Sequence, residues 1–203
     1  MVGFKAAFIL LLVLFQTAPK TQTILFFGDS LTAGYGLSPE EAFPALIEKQ
    51  LIKNGKNVKV VNAGLSGETS AGGLSRLDWI LKQPVEIFVL ELGANDGLRG
   101  LPLDQTRKNL QSIIDKVKAK SPQTKIVLAG MMVPPNLGTA YTNEFQKMFP
   151  DLAKKNNATL IPFLLNGVAG DDKLNQADGI HPNIEGHKIV AATVTKIIEP
   201  LLK

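Results

Sequence analysis

Cysteine is absent from this chain of 203 residues, which excludes disulfide bonds, thiolate nucleophiles and cysteine-ligated metal sites. Aromatic residues are scarce, at 6%, and the 22 lysines and arginines are scattered along the chain. The chain therefore has no basic run interleaved with aromatics, which is the pattern that would predict nucleic-acid binding. Only two histidines are available as an imidazole base, His181 and His187. What the chain does have is 45% hydrophobic residues, enough for one globular domain with a sizeable core.

The first 18 residues differ in character from the rest. Lys5 precedes an apolar block at residues 6–15, and Ala18 follows at a suitable cleavage point. This order is typical of a secretory signal peptide, and the block is too short to span a membrane comfortably. An uncleaved anchor is the alternative. We therefore expect residues 1–18 to be a signal peptide, residues 19–203 to form one domain, and the mature protein to be periplasmic or secreted.

Beyond the leader, short apolar runs alternate about five times with stripes of helical period. The runs read as strands buried on both faces, at residues 23–27, 58–62, 85–92, 125–129 and 159–163. Helices are predicted from Ser38, over residues 74–81 and 104–120, over residues 141–156 with a break or kink at Pro150, and from Asn183. This alternation predicts a three-layer α/β domain with a parallel sheet between helices. Residues 163–177 fit neither pattern.

Polar residues collect just after the predicted strands. Ser30 follows the first strand, Gly67 lies past the second, Asn95 follows the third, and Asp178 and His181 come after the fifth. The carboxyl ends of parallel strands share one edge of a sheet, which is where ligands bind in open α/β folds. We therefore expect these loops to converge.

Such a set would suit ester cleavage. A serine hydroxyl needs a base to take its proton, and Asp178, three residues before His181, could orient the imidazole. Gly67 could offer a bare backbone N–H, and Asn95 a side-chain amide, to a developing oxyanion together with the Ser30 N–H. Each residue also has a plainer reading as a helix cap, a loop histidine, a turn glycine or an Asx turn.

Four segments then appear in order along the chain: Gly28-Asp29-Ser30-Leu31, Gly64-x-Ser66-Gly67-x-Thr69, Gly93-Ala94-Asn95-Asp96 and Asp178-x-x-His181-Pro182. They resemble the motif blocks of the GDSL or SGNH hydrolases, and most closely the bacterial periplasmic acyl-thioesterases, lysophospholipases and arylesterases of that family. The resemblance implies a flavodoxin-like fold with a five-stranded parallel sheet. It also implies Ser30 as nucleophile, His181 as base and Asp178 as its orienting acid, with Ser30, Gly67 and Asn95 forming the oxyanion hole. Glu68 departs from the aspartate that close relatives often carry.

The predicted function is therefore a serine esterase that cleaves acyl or aryl esters or thioesters through an acyl-enzyme. Loop residues expected to bind the acyl or aryl chain are Leu65, Leu98, Met131, Met132, Val133 and Pro134, which could instead be ordinary loop anchors. We expect a monomer with a small-molecule substrate, no cofactor, no metal and no nucleic acid, and leave peripheral lipid contact open. The alternatives are a carbohydrate acetyl esterase, a non-catalytic flavodoxin-like binding module, and metal-dependent hydrolysis by Asp29, Asp178 and His181.

Overall fold

Five parallel strands form the centre of the computed structural model, which describes residues 20–203. The predicted signal peptide, residues 1–18, lies outside the described residues. The strands are β1 (Gln22–Gly28), β2 (Val58–Asn62), β3 (Ile87–Glu91), β4 (Lys125–Ala129) and β5 (Thr159–Ile161). They pair in the order β2-β1-β3-β4-β5, and each neighbouring pair is parallel. The predicted five-stranded parallel sheet is therefore confirmed.

Helices cover both sides of this sheet. They are α1 (Ser30–Ala33), α2 (Phe43–Lys53), α3 (Ser70–Ile80), α4 (Ala94–Leu98), α5 (Leu103–Lys120), α6 (Thr139–Asn156) and α7 (Ile184–Ile198), with short 3-10 turns at Pro135–Leu137 and Glu199–Leu201. Helix α2 packs against α7, whereas α5 packs against α3 and α6. No helix within residues 20–203 is long and apolar enough to cross a membrane.

The strand order places a switch point beside β1. Its neighbours are β2 on one side and β3 on the other, so the connections leave β1 in opposite directions. Gly28 at the end of β1 is paired in register with Glu91 at the end of β3. Ligands in open α/β sheets bind at such a point, outside the carboxyl ends of the strands. The core beneath it is apolar, with Phe26, Phe27 and Leu90 fully buried.

One predicted helix start is wrong, and the predicted break at Pro150 is absent. Helix α2 begins at Phe43 rather than near Ser38, because Ser38 and Glu41 instead close an exposed turn in which the Glu41 carboxylate accepts from the Ser38 N–H at 3.0 Å. Pro44 then falls in the first turn of α2, where no N–H is needed. Helix α6 is not broken at Pro150 but continues as one element through it.

The unassigned residues 163–177 form a chain of turns stabilised from within. The Asn175 side-chain amide donates to the carbonyls of Val168 at 2.7 Å and Asp171 at 2.8 Å. The amide of Asn183, which caps α7, donates to the Lys173 carbonyl at 2.8 Å. These bonds hold the segment against the start of α7 and so set the path of the loop that carries His181.

Candidate active site

Ser30 lies at the turn between β1 and α1. Asp29, which is buried, caps the short helix by accepting the Leu31 N–H at 3.0 Å. The Ala33 N–H bonds the Asp29 carbonyl at 2.9 Å and closes the turn. Capping therefore accounts for Asp29 but not for Ser30, whose hydroxyl oxygen lies 2.9 Å from Nε2 of His181.

His181 lies between Ser30 and Asp178. Its Nδ1 is 2.7 Å from an oxygen of the Asp178 carboxylate, so the ring can donate there and keep Nε2 as an acceptor facing the serine. The other Asp178 oxygen accepts the N–H groups of Ile180 and His181, each at 3.0 Å. The hydrogen bond to the His181 side chain lowers the pKa of Asp178 to about 2, so this carboxylate is ionised at neutral pH.

Two further residues hold His181, and the sequence did not single out either of them. The Tyr35 ring packs on the imidazole with ring centres 4.7 Å apart and planes tilted by 39°. The side-chain amide of Gln176 donates to the Tyr35 carbonyl at 2.7 Å, and the Gln176 N–H donates to the His181 carbonyl at 2.7 Å. This clamp ties the His181 loop to the loop that follows the Ser30 turn.

Gly67 lies in a tight turn at the same edge of the sheet. Its φ of +78° is the left-handed conformation that favours glycine, and the Glu68 N–H closes the turn on the Leu65 carbonyl at 3.1 Å. Arg99 secures the turn by donating to the Gly67 carbonyl at 3.0 Å. Within residues 20–203, the N–H groups of Ser30 and Gly67 donate to no other protein group, so both are available to a ligand.

Asn95 is near the other two donors, but its amide is already engaged. Its Nδ2 donates to the Asp29 carboxylate at 3.1 Å and to the Glu68 carbonyl at 3.0 Å. An oxyanion could therefore accept a hydrogen bond from this amide only by replacing one of those two acceptors. The next residue, Asp96, is buried and accepts the N–H of Ser70 at 2.8 Å, which joins α4 to the start of α3.

A cavity of about 600 Å³ opens over these groups. Five of the six residues predicted to bind the acyl or aryl chain line it: Leu98, Met131, Met132, Val133 and Pro134. Leu65 does not line the cavity, because its turn holds the side chain half-exposed outside it. The far wall, which sequence reasoning missed, includes Tyr35, Phe163, Leu165, Ala169 and Ile180. Its residues come mainly from the segment that showed no regular periodicity, so only tertiary contacts could identify them.

The acidic side chains of the site are used in hydrogen bonds rather than grouped as ligands. Among residues 20–203, no three histidine, aspartate or glutamate side chains are placed to hold a metal ion together. Asp29 accepts from Leu31 and Asn95, and Asp178 accepts from His181. The metal-dependent alternative therefore lacks a ligand cluster in this part of the chain.

A five-stranded parallel α/β sheet whose switch point carries serine, histidine and aspartate in hydrogen-bonding order defines a serine hydrolase. The model of the GDSL-like lipase/acylhydrolase family matches residues 26–189, a range that contains all four motif blocks. The chain belongs to this family and is a carboxylic ester hydrolase. The family resemblance predicted from the four blocks is thus confirmed.

Similarity to characterised proteins extends over nearly the whole chain. Esterase TesA of Pseudomonas aeruginosa is 40% identical over 194 residues, 95% of this chain and 96% of that protein. The Escherichia coli K12 protein named thioesterase 1/protease 1/lysophospholipase L1 is 39% identical over 196 residues, 96% of this chain and 92% of the other. The crystal structure of the psychrotrophic esterase EstA from Pseudoalteromonas sp., inhibited by monoethylphosphonate, aligns with a TM-score of 0.83 at 35% identity, covering 88% of this chain and 97% of EstA.

Proposed function

We propose that Ser30 is the nucleophile of this hydrolase, His181 its general base, and Asp178 the acid that orients the base. One observation carries the proposal: Asp178, His181 and Ser30 form a continuous series of contacts of 2.7 and 2.9 Å. Its second contact, between His181 and Ser30, joins residues that are 151 positions apart in the chain. A contact between residues so far apart in the chain forms only when the whole domain folds. Helix capping and turn formation, by contrast, involve only residues that are close in sequence.

The reaction follows from this order. His181 Nε2 takes the Ser30 proton as the hydroxyl oxygen attacks the substrate carbonyl. The protonated ring, held by the ionised Asp178, then delivers that proton to the leaving alcohol or thiol. A water molecule, activated by the same nitrogen, attacks the acyl-enzyme and releases the acid.

The oxyanion would be stabilised by the N–H groups of Ser30 and Gly67 and by the Asn95 amide. The two backbone donors are available within the described residues, whereas Asn95 must give up a bond to Glu68 or Asp29. We expect the Glu68 carbonyl to be released, because the Asp29 bond keeps Asn95 directed toward the Ser30 turn. The Asn95 amide then exchanges an uncharged acceptor, the Glu68 carbonyl, for the charged oxyanion, so its hydrogen bond becomes stronger as the transition state forms.

The substrates we propose are esters or thioesters with an acyl or aryl chain. The cavity beside Ser30 has mostly apolar walls, including Met131, Val133 and Leu165, so burial of hydrocarbon there is favourable. The names of the relatives, which include esterase, thioesterase, lysophospholipase and arylesterase, support the same class. A carbohydrate acetyl esterase would leave most of this apolar wall without a partner.

Active-site labelling tests the proposed nucleophile. A fluorophosphonate probe should label the wild-type protein and leave Ser30→Ala unlabelled, and turnover of a nitrophenyl ester should disappear with it. Ser66→Ala is the matched control, because Ser66 also lines the cavity but is not hydrogen-bonded to His181. Labelling that persists in Ser30→Ala and is lost in Ser66→Ala would contradict the proposal and identify Ser66 as the nucleophile.

A substrate panel tests the proposed class. Acyl-thioesters, lysophospholipids and nitrophenyl esters of increasing chain length should show kcat/KM rising with chain length until the cavity is filled. Met131→Asp, which places a charge in the apolar wall, should remove this dependence while leaving short esters nearly unaffected. Turnover restricted to acetylated sugars would contradict the proposal.

Residues 1–18 are proposed to direct export to the periplasm or the exterior, and the mature domain to act as a monomer. The supporting feature is the order of Lys5, the apolar block and Ala18. Mass spectrometry of the protein recovered after expression in a bacterium should find an N-terminus near Pro19. An intact N-terminus in the membrane fraction would favour the uncleaved anchor.

A further inference from the structure

A second carboxyl group lies directly beneath the Ser30 turn, and the proposed reaction does not use it. Glu91 is the last residue of β3 and is fully buried. Its Oε2 accepts the Asp29 N–H at 3.1 Å and the Thr32 hydroxyl at 2.7 Å. Glu91 therefore contacts the backbone of the residue before the nucleophile and the helix that follows it.

The space for this carboxyl exists only because residue 28 is a glycine. A Cβ atom at Gly28 would lie 2.4 Å from Glu91 Oε2 and 2.2 Å from the Thr32 hydroxyl oxygen. The first residue of the GDSL block is thus explained by close approach of the Glu91 side chain, since the Gly28 backbone has no left-handed conformation to accommodate.

Two buried carboxyl groups lie together at this turn, and ionising both is unfavourable. Glu91 Oε2 accepts the Asp29 N–H, which brings the two residues together, and a proton between their side chains would relieve the repulsion of two buried charges. Asp29 accepts donors from Leu31 and Asn95, which suit a carboxylate. Glu91 Oε1 is buried and receives no donor from residues 20–203, which suits an acid hydroxyl instead.

The surrounding charges point the same way. Arg76 of α3, which reaches the Gly28 carbonyl at 3.5 Å, is engaged by an ion pair with Glu68 and by the Ala63 carbonyl. Burial raises the pKa of Asp29 to about 6, although the hydrogen bonds from Leu31 and Asn95 and the charge of His181 lower it. Burial and the adjacent Asp29 charge raise the pKa of Glu91 well above its ordinary value.

We propose that Glu91 is a positioning residue that remains a neutral carboxylic acid and donates its proton to the Asp29 carboxylate. Through that bond and the bonds to the Asp29 N–H and Thr32, it fixes the turn that presents Ser30 and the carboxylate that aims Asn95. The inference rests on the proposed roles of Ser30 and Asn95 and adds the group that holds both.

Three variants test this. Glu91→Gln keeps the shape, one acceptor and one donor, whereas Glu91→Leu keeps the volume and removes both. Glu86→Gln, at the residue directly before β3 and paired with Lys20, is the matched control for loss of one carboxyl. We expect Glu91→Gln to retain kcat within about threefold and Glu91→Leu to lose about 10- to 100-fold in kcat, with KM little changed, because a displaced nucleophile costs rate rather than binding.

Two readouts report the proton without reference to activity. An acid whose pKa is raised in the folded state stabilises the fold fully below its unfolded pKa, and this contribution is lost as pH rises toward the folded value. Wild-type thermal stability should therefore fall relative to Glu91→Gln between about pH 5 and pH 8, with no such divergence for Glu86→Gln. Infrared spectra of the wild type should show a protonated-carboxyl C=O band that Glu91→Gln lacks.

Equal loss of kcat in Glu91→Gln and Glu91→Leu would overturn the inference, as would stability curves of wild type and Glu91→Gln that stay parallel with pH. Unchanged kcat in a folded Glu91→Leu would also overturn it. If Glu91→Leu does not fold, the infrared band and the Glu91→Gln measurements still decide. Failure of the fluorophosphonate to label Ser30 would instead remove the proposed function and leave the stability and infrared results as they are.

Discussion

Replacement of His187 by asparagine should make the protein less sensitive to acid. His187 lies in α7 and is 1% exposed, and its Nδ1 accepts the Phe43 N–H at 3.0 Å. Phe43 is the first residue of α2, so its N–H has no acceptor within the helix. The two rings also stack, with centres 6.0 Å apart. Protonation at Nδ1 would break the bond and place a cation against the positive end of α2.

The size of the effect follows from the pKa. Burial, with a smaller contribution from the charge of His181, lowers the pKa of His187 from 6.5 to about 4. The unfolded chain therefore takes up this proton at higher pH than the folded one. The neutral ring stabilises the fold fully above about pH 6.5, and this contribution is lost as pH falls through 4. At 1.4 kcal/mol per pKa unit the full effect is about 3 kcal/mol, of which about 2 kcal/mol is lost by pH 5.

Urea unfolding at pH 7, 6 and 5 measures this contribution. The quantity compared is the change in unfolding free energy with pH, because His187→Asn also loses ring packing at every pH. Asparagine keeps an acceptor near the Phe43 N–H, and the other acidic groups titrate alike in both proteins. Thr195→Val, which replaces another buried polar side chain of α7 that does not titrate, is the control and should keep the pH dependence of the wild type. If His187→Asn lost as much stability between pH 7 and pH 5 as the wild type, the reasoning would be refuted.

Three further substitutions have definite expected outcomes. Asn95→Ala should lower kcat by about 10²- to 10³-fold, since an oxyanion donor is removed, and a loss below tenfold in steady-state kinetics would contradict that role. Asp178→Asn should lower kcat by about 10²-fold or more, because His181 loses its orienting charge; unchanged pre-steady-state acylation would argue against it. Gly28→Ala should destabilise the fold by about 1–3 kcal/mol in urea unfolding, since its Cβ overlaps Glu91, and wild-type stability would disprove the close approach.

The centre of the sheet was predictable because β1, β3 and β4 are buried on both faces over most of their length. Runs such as residues 85–92 are apolar without alternation, which is typical of central parallel strands, and the structure has β3 at Ile87–Glu91 within that run. The start of α2 was not predictable from local signals. Ser38 begins a plausible cap, but the helix begins at Phe43, where His187 from the far end of the chain accepts the first N–H.

The candidate site also has features that the sequence predicts and features that it does not. Ser30, Asn95, Asp178 and His181 could be selected because each follows a strand and belongs to a motif block. The clamp formed by Tyr35 and Gln176 carried no signal, because neither residue type nor spacing marks a contact with an imidazole. The engagement of the Asn95 amide and the displacement of Leu65 from the cavity were equally invisible, since both depend on the path of the 65–68 turn.

Residue order by itself determined that strands alternate with helices and that Ser30, Gly67, Asn95 and His181 come after strand ends, because hydrophobic period and strand polarity are local properties of the chain. Tertiary structure alone decided how those ends are used. It placed Glu91 under Gly28, beside the buried Asp29, and it built part of the cavity wall from a segment without periodicity. Both outcomes depend on distances between residues far apart in sequence, which no local pattern encodes.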